Sequence, residues 1–391
     1  MSWPRVKLGD VATINPRLPR DAHESQLVTF VAMASASEDG YLLDSEARIL
    51  SETKKGFTYF DRNDVLLAKI TPCFENGKCL RPGQIPTEIG FGSTEFHVIR
   101  PASEKLDGLY LFYLVWSEQF RFWGEKSMSG AAGQRRVGSE FLREFEIPLP
   151  PLPEQKRIAA ILDKADSIRR KRQQAIKLAD DFLRAVFLDM FGDPVTNPKG
   201  WMVRPLSELV SKLGDGLHGT PKYDELGDYY FINGNNLDSG RVVVNERVKR
   251  VGFEEFKRHK KELNENTMLV SINGTIGKIA FYKGEKVVLG KSVCYFNVIP
   301  EYISSMYLHC LIGSHHFLRY TGGIETGSTI KNVSLKSMRE FPVPVPSVSL
   351  QKRFEAVIAT IESKKENLSA GHKAADALFD SLSQRVFSAM L

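Results

Sequence analysis

Arg143-Glu144-Phe145-Glu146-Ile147-Pro148-Leu149-Pro150, followed by Gln155-Lys156-Arg157 and a long helical pattern, is written twice in this chain. The second copy reads Arg339-Glu340-Phe341-Pro342-Val343-Pro344-Val345-Pro346, then Gln351-Lys352-Arg353 and a second helical pattern. The copies lie about 196 residues apart, far beyond the roughly 20–50 residues of a solenoid unit, so the repeated object is a whole domain plus a helix. The openings repeat as well: Trp3, then Leu8-Gly9-Asp10-Val11, against Trp201, then Leu206-Ser207-Glu208-Leu209. Between opening and closing the halves diverge. A common frame around different contents presents two related surfaces at a fixed separation and points to a two-part ligand.

Each half begins with short β-like runs punctuated by Gly, Asn and Pro, such as Val65-Leu66-Leu67-Ala68 and Thr267-Met268-Leu269-Val270. Helical patterns follow over 109–122 and 304–320. From Glu154 to Phe191 there is neither Gly nor Pro, and apolar or small residues recur at heptad spacing. The expected seam is Ile158, Ile161, Ala165, Ile168, Ala175, Ala179, Phe182 and Val186, with Arg172 interrupting. The second copy gives Phe354, Val357, Ile361, Lys364, Leu368, Gly371, Ala375, Leu378 and Leu382. Helices of this length span about 60 Å, more than one small domain covers, so the pattern predicts that they pair with each other, antiparallel. Gly192-Asp193-Pro194 stops the first. The Pro-rich stretches 148–153 and 342–346 read as short, semi-rigid polyproline-like spacers. The fold class is therefore α+β: two mixed α/β domains joined by two long helices in an antiparallel coiled coil, a pseudo-two-fold tandem repeat. Its parts are a first domain over 1–152, a central helix over 153–192, a second domain over 193–346 and a C-terminal helix over 347–391.

The 391 residues are 42% hydrophobic and 26% charged, with a formal charge of +6. That is the composition of a soluble protein, compatible with a polyanion partner. Met1-Ser2-Trp3-Pro4-Arg5-Val6-Lys7 has no apolar core of a signal peptide, and no window approaches about 20 apolar residues, so a cytoplasmic protein with no membrane span is expected. Cys73, Cys79, Cys294 and Cys310 lack zinc-ligand spacing and read as reduced thiols. There is no Walker loop, no HExxH, no GxSxG, no Asn-Pro-Pro-aromatic run and no glycine-rich cofactor loop after a first strand. Gly322-Gly323-Ile324-Glu325-Thr326-Gly327 matches a nucleotide fingerprint only loosely. Glu154-Gln155-Lys156 has the spacing of a nuclease motif, but Glu154 suits a helix start, and the second copy has Leu350 there. His315-His316 falls in a helical pattern and reads as surface or packing. No catalytic residue and no metal site is expected.

Several loops combine Lys or Arg with Asn, Gln and Thr, the types that reach phosphates and base edges. In the first half these are Lys69, Thr71, Asn76, Lys78, Gln134, Arg135 and Arg136. In the second they are His218, Thr220, Lys222, Tyr223, Asn273, Thr275, Lys278, Lys331 and Asn332. Each loop alone also reads as a plain polar turn. Arg169-Arg170-Lys171-Arg172 is expected to be a solvated or partner-facing helix surface.

Leu149-Pro150-Pro151-Leu152-Pro153-Glu154-Gln155-Lys156-Arg157-Ile158 resembles the central region of the specificity subunits of type I restriction-modification systems. Ile70-Thr71-Pro72-Cys73-Phe74-Glu75-Asn76-Gly77-Lys78 and Gly90-Phe91-Gly92-Ser93-Thr94-Glu95-Phe96 resemble one type of that family's target recognition domain. Asp215-Gly216-Leu217-His218-Gly219-Thr220-Pro221 and Gly274-Thr275-Ile276-Gly277-Lys278 resemble motifs of others. The resemblance covers essentially the whole chain and departs at Ser347-Val348-Ser349-Leu350. It implies a non-catalytic subunit that reads a bipartite, asymmetric site in double-stranded DNA, one domain per half-site. The helices would set the spacer and dock two modification (methyltransferase) subunits, and restriction subunits would join. S-adenosylmethionine, ATP and Mg would belong to those partners, with no cofactor in this chain. Two rival classes stay open: a protein scaffold, and the recognition half of a nuclease-methyltransferase.

Overall fold

The opening and closing segments of each repeat meet in space. In a computed structural model, which describes residues 3–131, 133–322 and 332–387, Arg5–Lys7 pairs antiparallel with Glu146–Pro148. Met202–Pro205 pairs in the same way with Pro342–Val345. The Leu8 amide donates to the Phe145 carbonyl (2.8 Å), and the Leu206 amide to the Phe341 carbonyl (2.9 Å). Part of each Pro-rich stretch is thus a paired strand rather than the expected semi-rigid, polyproline-like spacer. Proline is tolerated because a two-stranded ribbon leaves one edge of each strand unpaired.

One glutamine locks each domain to its helix. Gln155 is fully buried in the first turn of the central helix. Its Oε1 accepts from the Asp107 amide (2.8 Å), while Nε2 donates to the carbonyls of Pro150 (2.8 Å) and Lys105 (2.9 Å). Gln351 repeats the clamp with the Ser304 amide (2.7 Å) and the Pro346 carbonyl (2.8 Å). Beside each clamp a buried tyrosine hydroxyl caps the proline strand: Tyr110 to the Pro148 carbonyl (2.9 Å) and Tyr307 to that of Pro344 (2.8 Å). Glu154 sits in the first turn as expected, with its carboxylate paired to Arg157 (2.7 Å).

The domains share a topology. The first has a four-stranded antiparallel sheet in the order Ala12–Ile14, Phe96–Pro101, Val65–Ala68, Cys79–Leu80. The second has Val210–Asp215, Val293–Val298, Thr267–Ser271, Ile279–Phe281. Each adds a second sheet, of four strands in the first domain and three in the second, with one parallel pair, Leu27–Val31 with Ile89–Gly92 and Tyr229–Ile232 with Val287–Leu289. Each helical pattern proves to be two helices. Gly108–Trp116 and Glu118–Ser127 break at Ser117, whose backbone is extended and whose side-chain oxygen accepts from the Phe120 amide. Ser305–Ile312 and His315–Gly322 correspond in the second domain.

The long helices are Leu152–Phe191 and Val348–Phe387, each of 40 residues. The chain divides into two compact units, Met1–Gln174 with Leu368–Leu391, and Ala175–Asn367. Inside each unit a stretch of one helix runs antiparallel to a stretch of the other. In the first, Arg169 faces Asp376 (3.9 Å) and Arg172 reaches the Gly371 carbonyl. In the second, Asp180 pairs with Lys365 (2.6 Å), and the Phe187 and Phe191 rings pack on Phe354 at 5.7 and 5.0 Å. Each domain core therefore takes apolar side chains from both helices, and an aromatic ring of one meets a domain tyrosine: Phe387 meets Tyr110 at 5.7 Å, as Phe191 meets Tyr307 at 4.8 Å.

The seam register differs from the heptad expectation. Ile158, Ala165, Ala375 and Phe354 are buried, and Val186, Val357, Ile361, Leu368 and Leu382 are half-buried. Ile161, Ile168, Phe182 and Leu378 stand 41–56% exposed. Leu162, Asp166, Ile358 and Phe379 take inner positions instead. The pattern slipped because a buried acid, Asp166, and a half-buried Arg169 occupy the packed face, where a hydrophobic count passes over them. Arg172 and Gly371, the break in each heptad run, explain each other: a Cβ on residue 371 would stand 2.5 Å from the Arg172 guanidinium.

Truncating the clamp strands several buried partners, each costing on the order of 1–3 kcal/mol. Gln155→Ala should therefore destabilise the first unit by about 3 kcal/mol or more, and Gln351→Ala the second, read as a lowered urea midpoint. A midpoint unchanged in either variant would show that the glutamine does not secure the junction.

Candidate nucleic-acid interface

A long connection leaves the central sheet at the same corner of each domain. In the first it is loop 69–78, between Val65–Ala68 and Cys79–Leu80. Phe74 anchors it, its ring occupying space that a Cβ at Gly124 would invade at 2.2 Å. Gly77 turns it at φ +80, close against Arg121 and Trp116, where both the backbone and the space require glycine. Loop 129–137 closes over it. Ser129 and Arg136 exchange two backbone hydrogen bonds (3.1 and 2.8 Å), the Thr71 amide donates to the Arg135 carbonyl (3.0 Å), and the Val137 amide to that of Lys69 (2.9 Å). Of the candidates, Lys69, Thr71, Gln134, Arg135 and Arg136 are brought together. Asn76 and Lys78 lie on the far side of the loop, donating to Glu38 (3.0 Å) and to the Met33 carbonyl (3.3 Å).

The two arginines differ. Arg136 makes a two-pronged pair with Glu95 (both 2.9 Å), and that pairing holds the Glu95 carboxyl below the ordinary glutamate range. Arg135 stands 3.8 Å from Glu75 and 3.9 Å from Glu125, within Coulomb reach of both and clamped by neither. The Thr71 hydroxyl donates to Glu75 (2.7 Å). Glu95, as the partner that shapes this corner, was not singled out from the sequence, since a lone acid in a strand approach carries no periodic signal.

In the second domain loop 272–278 occupies the same corner. Asn273 and Asn332 form a bridge where Ile70 and Arg136 do in the first, and the Val333 amide donates to the Ile272 carbonyl (2.8 Å). Gly274 and Gly277 turn the loop at φ +75 and +85, and Thr275 is exposed between them. Lys278 lies 3.7 Å from Asp238. Lys331 falls outside the described residues, as does most of the glycine run that begins at Gly322.

His218, Thr220, Lys222 and Tyr223 belong to another segment, which starts at Gly216, where a Cβ would collide with the Leu289 carbonyl at 2.2 Å. Gly216 and Ile272 donate to the carbonyls of Val293 and Ser292 (3.1 and 3.0 Å), so this segment and loop 272–278 hang from one turn. His218 is exposed and contacts Asp215 at 2.5 Å. Tyr223, also exposed, packs edge-on to Phe231 (6.0 Å) beneath the Lys249 ammonium (4.3 Å). Arg250 lies 5.0 Å over Tyr230. On the matching edge of the first domain Arg48 lies 3.6 Å over Phe30. Sequence reading missed Arg48, Lys249 and Arg250 because it sought basic residues in polar loops, and these sit on strands or beside them.

Among the described residues no group of three or more His, Cys, Asp and Glu stands where it could hold a metal ion, and no helix is long and apolar enough to cross a membrane. All four cysteines are free thiols, and burial raises Cys79 and Cys294 well above the ordinary range and Cys310 to about 12.

His97 supports the first corner from below. Asn15 Oδ1 accepts from the Val98 amide (3.0 Å), which leaves its Nδ2 facing His97 Nδ1 (3.1 Å). Nδ1 is thus an acceptor, and Nε2–H donates to the Val137 carbonyl (2.9 Å). Burial lowers the His97 pKa below its ordinary value. The unfolded chain then takes up this proton first as pH falls, so stability drops from about pH 6.5 down to the folded value. The first unit's unfolding midpoint should fall over that window, and His97→Gln should flatten the fall. An equal pH dependence in both proteins would remove His97 as its source.

A family model described as the type I restriction modification DNA specificity domain matches residues 2–178 and again 198–371. The EcoEI specificity subunit of Escherichia coli is 40% identical over 164 residues, which cover 41% of this chain and 27% of that protein. The match to the EcoAI specificity subunit likewise spans about a quarter (26%) of its length, at 39% identity. The MjaVIII specificity subunit of Methanocaldococcus jannaschii is 23% identical, with 93% of this chain and 88% of that protein covered. Among solved structures, a type I S subunit from M. genitalium shares the fold with a TM-score of 0.59 at 15% identity, covering 99% of this chain and 96% of that one. A structure addressing assembly of a type I restriction-modification system gives 0.56 at 18%, covering 99% of this chain and 97% of that one. Matched twice, over most of its length and across both repeats, the chain belongs to the family of type I restriction modification DNA specificity domains.

Proposed function

We propose that this chain is the sequence-reading subunit of a type I restriction-modification complex and that each of its domains binds one half of a bipartite, asymmetric site in double-stranded DNA. One observation carries the reading: the same corner of the same scaffold bears a closed loop pair in both domains, 69–78 with 129–137 and 272–278 with 332–333, while the residues displayed differ. Phosphate contacts would position each domain, and a few base-edge contacts would specify the half-site. The segments 1–152 and 193–346 serve as the two target recognition domains, and the helices over 153–192 and 347–391 as spacer and docking surface. Two weak readers held at a fixed distance gain affinity through effective concentration when the spacing fits.

The helices also offer a surface for two modification subunits. Ile161, Ile168 and Leu378 in the first unit, and Leu178, Phe182 and Leu188 in the second, are large apolar residues left exposed. Such side chains suit burial against a partner. Catalysis, with its S-adenosylmethionine, ATP and Mg, belongs in this reading to the modification and restriction subunits, and the complex works in the cytoplasm.

Mapping methylated bases in a host that carries this chain with its modification subunits tests the reading directly. Two half-sites separated by a constant spacer are expected; continuous or random methylation would overturn it. Inserting one heptad into both helices should change the preferred spacer and leave both half-sites as they were. A spacer that stays fixed while binding persists would end the ruler role.

The arginines allow a finer test. Arg135→Ala should weaken binding and reduce the slope of log K against log salt by about one, the value for one lost phosphate contact. Arg136 is engaged by Glu95, so Arg136→Ala should lower affinity through the shape of loop 129–137 with the slope kept. The reverse pattern would reassign the two roles.

A further inference from the structure

The turn 37–41 joins the first recognition loop to the helices of its own unit. Gly40 makes the turn possible at φ +81, where a Cβ would stand 2.3 Å from the Phe112 ring. On one side, Glu38 accepts from Asn76 of loop 69–78 (3.0 Å), and its carbonyl accepts from the Trp116 indole (2.9 Å). On the other, the Tyr41 hydroxyl donates to Asp166 (3.0 Å) and accepts from Arg81. Arg81 also pairs with Asp163, whose carboxylate takes the Tyr113 hydroxyl at 3.1 Å. Arg169 completes the network through Asp166 (2.8 Å) and Asp39 (3.4 Å), and the Arg170 guanidinium lies 3.4 Å over the Tyr41 ring. The basic run expected to face solvent or a partner is thus largely spent inside this unit. Asp166 is 1% exposed and Arg81 9%; removing a partner from a charge buried this deeply costs far more than breaking an exposed pair.

Among the described residues the second domain has the same turn without the network. Gly240, at φ +78, accepts from the Phe281 amide (3.0 Å), as Gly40 accepts from that of Arg81 (3.0 Å). The side chain there is a phenylalanine against the His309 ring (5.2 Å). From this turn Arg241 pairs with Glu366 of the helix (2.9 Å), with both side chains about two-thirds exposed at 68% and 67%.

Resting on the reading above, we propose that the turn 37–41, with Arg81 and Asp166, is a positioning joint that fixes how the first recognition loop is presented to DNA, and that the matching joint of the second domain is slack. Tyr41, Arg81 and Asp166 touch no DNA in this account. They act through Asn76 and through the angle between the first domain and the helices of its unit.

The test uses the full chain assembled with its modification subunits. Competition binding is measured on duplexes carrying the mapped site, on spacers one base pair shorter and longer, and on single base changes in each half-site. Tyr41→Phe keeps the ring under Arg170 and removes the hydroxyl; Asp166→Asn removes the charge. In both, discrimination between spacers and the penalty for first half-site changes should fall by roughly twofold to thirtyfold, while the second half-site penalty holds. Arg241→Ala should leave all three unchanged. Loss of affinity by one common factor on every duplex, or no change on any, overturns the joint. Failure of the wild-type complex to select any site overturns the underlying reading instead.

Discussion

Everything in this protein hangs on two buried amides. Gln155 and Gln351 each tie the start of a long helix to the strand before it and to the helix N-terminus of the adjoining domain. A buried glutamine that satisfies both its donor and its acceptor ends cannot swivel without losing hydrogen bonds in a place water does not reach. A leucine there would bury as well and would leave the rotation free. The glutamine converts a Pro-rich strand and a helix start into one rigid corner, and any relation between a domain and its helix is inherited from that corner.

This also explains which parts of the chain could be read in advance. The repeated opening and closing phrases are repeated because they pair with each other, strand on strand, and carry the clamp at their end. Duplication and the long helices were visible for that reason. The seam was read less well because Asp166 and Arg169 lie on the packed face, where their charges are balanced by Tyr41, Asp39 and Asp376 from distant parts of the chain. No local pattern announces such compensation. The candidate interface was read in part. Polar turns such as 69–78 and 272–278 carry a compositional signal, whereas Glu95, Lys249 and Arg250 gain meaning only from what folding places beside them.

Similar frames have been filled by different solutions. At one corner an arginine is held by a glutamate next to another left loosely balanced; at the other, asparagines and glycines dominate. Near the helices one domain uses a buried ionic network and the other an exposed pair. A duplicated scaffold keeps its backbone contacts and lets its side chains drift, because the ladders and clamps already secure the geometry.

The division of the chain into units has a temporal side. Ala175–Asn367 is one continuous stretch, so everything the second unit needs has left the ribosome once residue 367 is out. The first unit is completed only by residues after 367, because Phe379 and Phe387 pack against Tyr113, Trp116 and Tyr110. The first domain therefore waits with an aromatic face open until the residues after 367 are made. A chain cut just after residue 367 keeps a whole second unit and an unfinished first, a state that exposes apolar surface.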